Sequence, residues 1–166
     1  MFLTEVCQFL RNWFDRDRLT GQYVVTDGVI SSADGIALPL LTGQYYRIIG
    51  SVFNDGVHIY GTKQVTTQEE NEDPVTTEVL IDPLVDEPAF TGAVWTMAVP
   101  PAFVELAAEI ETWTNTNADA INSPYNSESF GGYSYTVKSS ASGADGESGI
   151  TWQGQFKSRL NPWRKI

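Results

Sequence analysis

The spacing of apolar residues changes twice along this chain, and these two changes limit its possible folds more than any other feature. Near the N-terminus apolar residues recur every three or four positions, which is typical of an amphipathic helix. After Gly21 short β-prone runs alternate with turn residues, and helical spacing returns after Pro100. The sequence therefore predicts helical segments at 1–21 and 100–166 around a β-rich insertion at 22–99.

Three helices are predicted. The first has one apolar face, carries Arg11, Arg16 and Arg18 toward its C-terminal end, where cations are favoured, and ends at Gly21. The second begins at Pro100-Pro101, because proline is tolerated in a first turn, and ends near Asn115. The third ends at Pro162. Their apolar faces are Leu3, Val6, Cys7, Leu10, Trp13 and Phe14; Phe103, Leu106, Ala107, Ile110 and Trp113; and Trp152, Phe156, Leu160 and Trp163. The predicted fold class is α+β, a small helical bundle with N-terminal, central and C-terminal helices and an inserted antiparallel β subdomain.

The insertion carries its own strand and turn signals. Asp27-Gly28 lies between two β-prone runs and is a hairpin signal, and Asn54-Asp55-Gly56 turns the chain again. These signals predict a small antiparallel sheet or a partly closed barrel. Residues 63–78 are polar and acidic and predict a mobile loop, whereas 93–99 predict either a last sheet strand or a buried connector.

Charge is unevenly distributed along the chain. The formal net charge is −11, and Lys138 is the only cation between Gln64 and Thr151. The last ten residues carry four cations and no acid: Lys157, Arg159, Arg164 and Lys165. Overall acidity argues against a free nucleic-acid binder, because phosphate contacts need clustered cations. The basic C-terminus instead suits an acidic protein surface.

Few residues suggest chemistry. His58 is the only histidine and alternates with apolar residues in a predicted strand, without a nucleophile elbow beside it. The glycine-rich stretches lack the ending of a phosphate-binding loop. Cys7 is the only cysteine and is predicted to be a small buried hydrophobe, which excludes an internal disulfide and a multi-cysteine zinc site. The sequence predicts a protein that is not an enzyme and needs no cofactor or metal.

Five tryptophans leave two interpretations open. Trp13, Trp95 and Trp113 lie in apolar patterns and are predicted to be core residues. Trp152 and Trp163 are either core residues or interface anchors. Exposed aromatic rings on a small sheet can also stack on sugars, so a carbohydrate- or surface-binding module carried by the β-rich region is the alternative function. No run of about 20 apolar residues predicts a membrane span, and no signal peptide is recognised, so we expect a soluble, cytoplasmic protein.

The segment 123–136 is too aromatic for a linker and too rich in Ser, Gly and Pro for a helix. Gly131-Gly132 permits a sharp turn, after which Tyr133 and Tyr135 alternate with small polar residues. This pattern predicts an extended arm or edge strand that lies on another surface. We expect its aromatic residues Phe130, Tyr133 and Tyr135 to contact a neighbouring subunit.

Four segments together resemble the head–tail connector (adaptor) proteins of long-tailed bacteriophages, in particular phages of Gram-positive bacteria. They are 2–14, 100–113, 123–135 and the ending Trp152 to Ile166, of which Ser-Glu-Ser-Phe-Gly-Gly-Tyr-Ser-Tyr at 127–135 is the most specific. The resemblance covers a little under half of the chain. Connectors of this type are compact helical subunits, so the β-rich insertion at 22–99 is a departure from the pattern.

The resemblance implies a non-catalytic virion protein. We expect a homo-oligomeric ring, a dodecamer, in the neck of the virion, assembled in the host cytoplasm. Its partners would be the portal protein and a downstream neck or tail protein, with no membrane contact, and DNA would pass through the ring without specific binding. The residues expected to contact the portal or another neighbouring ring are Arg159, Trp163, Arg164, Lys165 and Ile166.

Overall fold

The computed structural model describes residues 2–67, 74–118, 121, 125–128, 135–137 and 151–165. The chain divides into two compact units. Unit 1 comprises Met1–Asn12 and Pro101–Ile166, and unit 2 comprises Trp13–Pro100. Each unit is described separately below.

Unit 2 is built on a curled five-stranded antiparallel sheet. Its strands are β1 Asp15–Thr26, β2 Val29–Ser32, β3 Tyr45–Ile49, β4 Gly56–Ile59 and β7 Glu87–Met97. Their order in the sheet is β2-β1-β7-β3-β4, so the last of these five strands in sequence lies at the centre. Of the two interpretations of residues 93–99, the strand is right, because β7 pairs with both β1 and β3.

The predicted helical bundle with an inserted β subdomain is wrong. The described chain is mostly β, with few and short helices. Helix α1, Leu3–Leu10, has 8 residues and α2, Pro101–Thr116, has 16. At the C-terminus the predicted third helix is replaced by two four-residue helices, α3 Trp152–Gln155 and α4 Lys157–Leu160, and a 3-10 turn, Asn161–Trp163. A four-residue spacing of apolar residues also fits such single turns, which is why the pattern overstated the helix.

The first helix ends earlier than predicted, and the strand after it begins earlier. Arg11 has φ +54° in the left-handed region, and the N–H groups of Arg11 and Asn12 donate to carbonyls of the last helical turn. Strand β1 then begins at Asp15, so Arg16 and Arg18 do not belong to a helix end and Gly21 is not a helix exit. Long pairing with β7 outweighs the local helical spacing here.

The predicted mobile loop at 63–78 is also wrong where the structure describes it. Residues Thr62–Thr67 form β5 and Val75–Leu80 form β6, paired as a separate two-stranded antiparallel sheet. Cross-strand pairs include Val65 with Thr77 and Thr66 with Thr76. Threonine and valine favour strands because branched side chains pack well on a pleated surface, and this preference outweighs the polar composition.

The core of unit 2 lies on one face of the five-stranded sheet. Its side chains come from β1, β2, β3, β7 and two connecting segments. They are Tyr23, Val25, Ile30, Leu40, Tyr46, Ile48, Leu84 and Val94. The predicted hairpin at Asp27-Gly28 is confirmed: both residues have positive φ, +52° and +75°, and join β1 to β2. Gly92 is required for another reason, since a Cβ there would lie 2.2 Å from the carbonyl oxygen of Ile49.

Unit 1 joins α1, α2 and the C-terminal segment 151–165. Cys7 is fully buried on α1, as predicted, beside Leu3, Val6 and Leu10. Helix α2 begins at Pro101, as predicted, and buries Phe103, Leu106, Ala107 and Ile110. A hairpin of β8, Tyr125–Glu128, and β9, Tyr135–Val137, also belongs to this unit.

Candidate functional site

The C-terminal segment 151–165 is attached to α1 and α2 through aromatic side chains. Trp152 meets Phe2 and Phe9 edge to face, with ring centroids 5.4 and 5.2 Å apart. Phe156 meets Trp113 at 6.0 Å, and its side chain is buried. Edge-to-face rings attract each other beyond the area they bury. Trp152 and Phe156 therefore serve the packing of unit 1.

Two of the residues predicted to contact the portal meet side chains of α2. The Trp163 ring lies 5.4 Å from that of Phe103, and its backbone carbonyl accepts a hydrogen bond of 2.8 Å from Asn12 Nδ2. Arg159 donates two hydrogen bonds, of 2.6 and 2.7 Å, to the carboxylate of Glu109. Both members of this ion pair are about half exposed. Trp163 is half-buried, so its contact with a partner would use the exposed part of the ring.

Other cations of the C-terminus are exposed beside the end of α1. The guanidinium carbon of Arg164 lies 5.3 Å from the ring centroid of Phe9, itself exposed. The Lys165 N–H donates to the Leu10 carbonyl over 3.3 Å, which brings it close to Arg11 in the chain. We call Phe9, Arg11, Arg164 and Lys165 the α1 basic patch. A helix C-terminus favours nearby cations because its carbonyls carry partial negative charge.

The predicted arm falls mainly outside the described residues. Phe130, Tyr133 and Ile166 are not among those residues. The backbone of Tyr135 is described and pairs with Glu128 across the β8–β9 hairpin. The structure thus places one of the three expected subunit-contact residues, at a strand position, and the prediction for all three stays a prediction.

An exposed apolar loop in unit 2 was missed by the sequence reasoning. It consists of Val52 and Phe53, which follow β3, and of Val85, whose backbone bonds to Asn54, the residue after Phe53; we call Val52, Phe53 and Val85 the loop tip. Their exposed fractions are 79%, 61% and 57%. The available signal was an apolar pair directly before the Asn-Asp-Gly turn at 54–56.

A buried carboxylate holds the loop tip in place. Glu87 accepts hydrogen bonds from Ser51 Oγ, from the Val52 N–H over 2.9 Å and from Asn54 Nδ2 over 3.2 Å. Asn54 also bonds the backbone of Val85 twice, through its Nδ2 to the carbonyl at 2.9 Å and through its Oδ1 from the N–H at 2.8 Å. These bonds fix both sides of the tip to β7.

These hydrogen bonds also determine the ionisation state of the Glu87 carboxyl. Glu87 is only 5% exposed. Burial raises the pKa of its carboxyl, but the bonds from Ser51, Val52 and Asn54 outweigh burial and leave the pKa below its ordinary value. Glu87 is therefore an ionised acceptor at neutral pH. A buried charge with several donors is costly to disturb, so the network rigidifies the loop.

Unit 2 also contains an open cavity of about 230 Å³. Its lining comes from strands β2 to β6 and from the turns and connections next to them: Gly28, Val29, Ile30, Thr42, Tyr46, Ile59, Tyr60, Gly61, Thr62, Leu80 and Asp82. Asp82 Oδ2 lies 3.1 Å from His58 Nδ1 and accepts from the Ile59 N–H over 3.2 Å. Burial, followed by the charge of Asp82, raises the pKa of the Tyr46 hydroxyl well above its ordinary value. Tyr46 stays neutral and can act as a hydrogen-bond donor.

Tryptophans predicted to be core residues are only half-buried. Trp13 and Trp95 pack against arginines: the Arg47 guanidinium carbon lies 3.6 Å from the Trp13 ring centroid and 5.0 Å from that of Trp95, and Arg18 lies 4.1 Å from Trp95. Arg18 and Arg47 are the cross-strand partners of Trp95. Such contacts stabilise a partly exposed sheet face, so the prediction of core positions is wrong for these rings.

Among the described residues, no group of three or more His, Cys, Asp or Glu side chains could hold a metal ion. In the same part of the chain no helix is long and apolar enough to cross a membrane. Comparison of the chain with protein-family models, with curated proteins and with solved structures gives no match.

Proposed function

We propose that this chain is a structural subunit of a phage head–tail connector, which forms a ring in the neck of the virion between the capsid portal and the tail. One observation carries the proposal. The segments on which the resemblance rests are far apart in sequence, yet three of them, α1, α2 and 151–165, pack against one another in unit 1. The segments that carry the resemblance thus share one core, and this supports the proposal.

The α1 basic patch is the portal-facing surface in this proposal. Arg11, Arg164 and Lys165 are exposed, while the aromatic side of the same segment is occupied within unit 1. The backbone that carries these cations is already packed in unit 1, so little conformational freedom of the backbone is lost on binding. A patch of this kind suits an acidic surface on the neighbouring ring, and rim charges of this type mainly increase the association rate.

The subunits make head-to-tail contacts that close by rotation, as a ring requires. The arm at 123–136 is the proposed subunit contact. The duplex passes through the ring without specific binding, because the long stretch between Gln64 and Thr151 contains a single cation, Lys138. The ring assembles in the host cytoplasm and remains in the virion neck.

The test is assembly with the portal protein of the same phage. Purified chain and portal are mixed and analysed by electron microscopy and by binding measurements at two salt concentrations. We expect a ring of this chain on the portal. Arg164→Glu with Lys165→Glu should weaken binding by tenfold or more, since charge reversal replaces attraction by repulsion.

A charge-matched control is available in unit 2. Arg16→Glu with Lys63→Glu changes the net charge equally at exposed positions and should leave portal binding within about twofold. A chain that neither forms rings nor binds the portal would contradict the proposed function. Equal loss in both double variants would mean that overall charge matters and that the α1 basic patch does not.

The carbohydrate-binding alternative is less well supported. Stacking on sugars needs free ring faces, and Arg47 covers the Trp13 ring while Tyr46 is buried. If the chain stays monomeric and binds glycans, this alternative function is favoured over that of a connector.

A further inference from the structure

The loop tip presents an apolar anchor that is already ordered. Phe53 is 61% exposed, although the backbone on either side of it is fixed by bonds to Glu87 and through Asn54. Exposed phenylalanine on a rigid loop loses little entropy when it binds, and buried aromatic anchors contribute much of the affinity of interfaces. The polar network thus holds the backbone of Phe53 in place while its ring lies in water, so a partner that covers the ring would bury apolar area.

The same chain contains a matching receptor. The open cavity of about 230 Å³ has apolar walls from Val29, Ile30, Ile59 and Leu80, and a polar side from Thr42, Thr62 and Asp82. An apolar cavity of about 150 Å³ can hold a benzene ring. The cavity in unit 2 is therefore large enough for the side chain of a phenylalanine.

The anchor and the receptor lie toward opposite ends of β4. Phe53 precedes Gly56, where the strand begins, whereas the cavity is lined by Ile59 at its end and by the residues that follow. Phe53 does not line the cavity of its own chain. Because both features belong to unit 2, their relative position is the same in every copy.

We propose that Phe53 of one subunit inserts into the cavity of the next subunit. Because an anchor and a different receptor surface are joined, the contact is head-to-tail, and repetition of it by rotation produces a ring. The inference rests on the proposed ring function and deepens it by naming a contact between neighbouring subunits. The occupant of the cavity is a second copy of this chain.

Two complementary variants of the full chain test the contact. Phe53→Ala removes the anchor and keeps the cavity, while Thr42→Trp narrows the cavity at an exposed lining position and keeps the anchor. Each variant alone should self-associate about 30-fold more weakly, the loss expected of a hot-spot residue. An equimolar mixture should form a one-to-one heterodimer that cannot extend. Sedimentation velocity measures all three samples.

Matched controls separate the contact from unspecific effects. Ile36→Ala removes another exposed apolar side chain of unit 2, 67% exposed and outside the cavity, and should leave association unchanged. Val29→Trp is a second cavity-blocking variant, used if Thr42→Trp lowers the melting temperature. If both blocking variants are unstable, Phe53→Ala, which changes an exposed side chain, decides the question.

Unchanged self-association of Phe53→Ala would overturn the inference, as would a mixture of stable variants that shows no binding in an NMR titration at millimolar concentration. A glycan that occupies the cavity without affecting association would also overturn it. Rings on the portal that persist in Phe53→Ala would leave the proposed function intact while this inference fails. If the complementary variants dimerise but the parent chain does not bind the portal, the contact between subunits stands and the proposed function fails.

Discussion

Unit 1 and unit 2 are held together by different kinds of contact. In unit 2 the long strands β1 and β7 pair from Asp15 with Met97 to Val25 with Glu87, so a ladder of backbone hydrogen bonds runs along both strands. In unit 1 the segment 151–165 meets α1 and α2 through a few aromatic rings in edge-to-face contact, beside buried aliphatic side chains such as Leu10 and Leu160. A ladder distributes its stabilisation over many groups, whereas a few rings concentrate it. Single side-chain changes should therefore lower the free energy of unfolding more in unit 1 than in unit 2. The exception in unit 2 is Glu87, because one buried side chain holds several hydrogen bonds there.

The largest effect is expected from Phe103→Ala in unit 1. Phe103 is fully buried and faces Trp163, so truncation leaves a cavity that links α2 to the C-terminal segment. Such changes cost about 3–5 kcal/mol in the free energy of unfolding. Urea denaturation measures the loss. The control is Phe53→Ala, the same substitution at an exposed position; similar losses in both variants would contradict a concentrated aromatic core.

The next largest effect is expected from Glu87→Gln in unit 2. The amide keeps the size of the side chain but replaces one acceptor oxygen by a donor facing Ser51, Val52 and Asn54. Breaking a buried, charge-assisted network should cost about 3 kcal/mol. Glu105→Gln, at an exposed position on α2, is the control and should have little effect.

The loss in Glu87→Gln should also depend on pH. The pKa of Glu87 is lower in the folded state than in the unfolded state, so its stabilisation is complete above the unfolded value, about 4.3. It decreases as the pH falls through the folded pKa. The difference between parent and variant should therefore be largest near neutral pH and shrink in acid. A difference that grows as the pH falls would mean that Glu87 is protonated in the fold.

Deletion of residues 163–166 should have an intermediate effect. It removes the Trp163 ring from Phe103 and the carbonyl that accepts from Asn12. Partial burial of the ring and one hydrogen bond suggest a loss of about 2 kcal/mol. Arg164→Ala with Lys165→Ala keeps Trp163 and should leave stability unchanged, which separates packing from charge. If the deletion variant is as stable as the parent, Trp163 does not stabilise unit 1 and serves only contact with a partner.

Local signals in the sequence were sufficient for several elements and not for the architecture. Asp27-Gly28 predicted a turn because positive φ limits the possible residues there, and the apolar face of α2 predicted its burial. Residues 15–21 and 63–67 were misassigned because their strands depend on partners distant in sequence, β7 and β6. Local propensity does not report such pairing.

The candidate sites were predictable to different degrees. The cations of the C-terminus are visible as a charge pattern, but the ion pair of Arg159 with Glu109 is not, because its members are 50 residues apart. The loop tip was missed since its exposure depends on Glu87, which lies 35 residues from Val52. Side chains that act through tertiary hydrogen bonds leave no periodic trace in the sequence.

The smallest effect is expected from Glu109→Gln, which tests whether ion pairs add to the cohesion of unit 1. The Arg159–Glu109 pair is well aligned, and hydrogen bonding from Arg159 lowers the pKa of Glu109 below its ordinary value. Both groups are solvent-exposed, so water and salt screen their attraction. We expect no measurable change in the urea midpoint. Carboxylate titration by NMR should nevertheless show the lowered pKa of Glu109, and Arg159→Ala should return this pKa toward its ordinary value. A destabilisation comparable with that of Phe103→Ala would show that electrostatics, rather than aromatic packing, joins the C-terminal segment to α2.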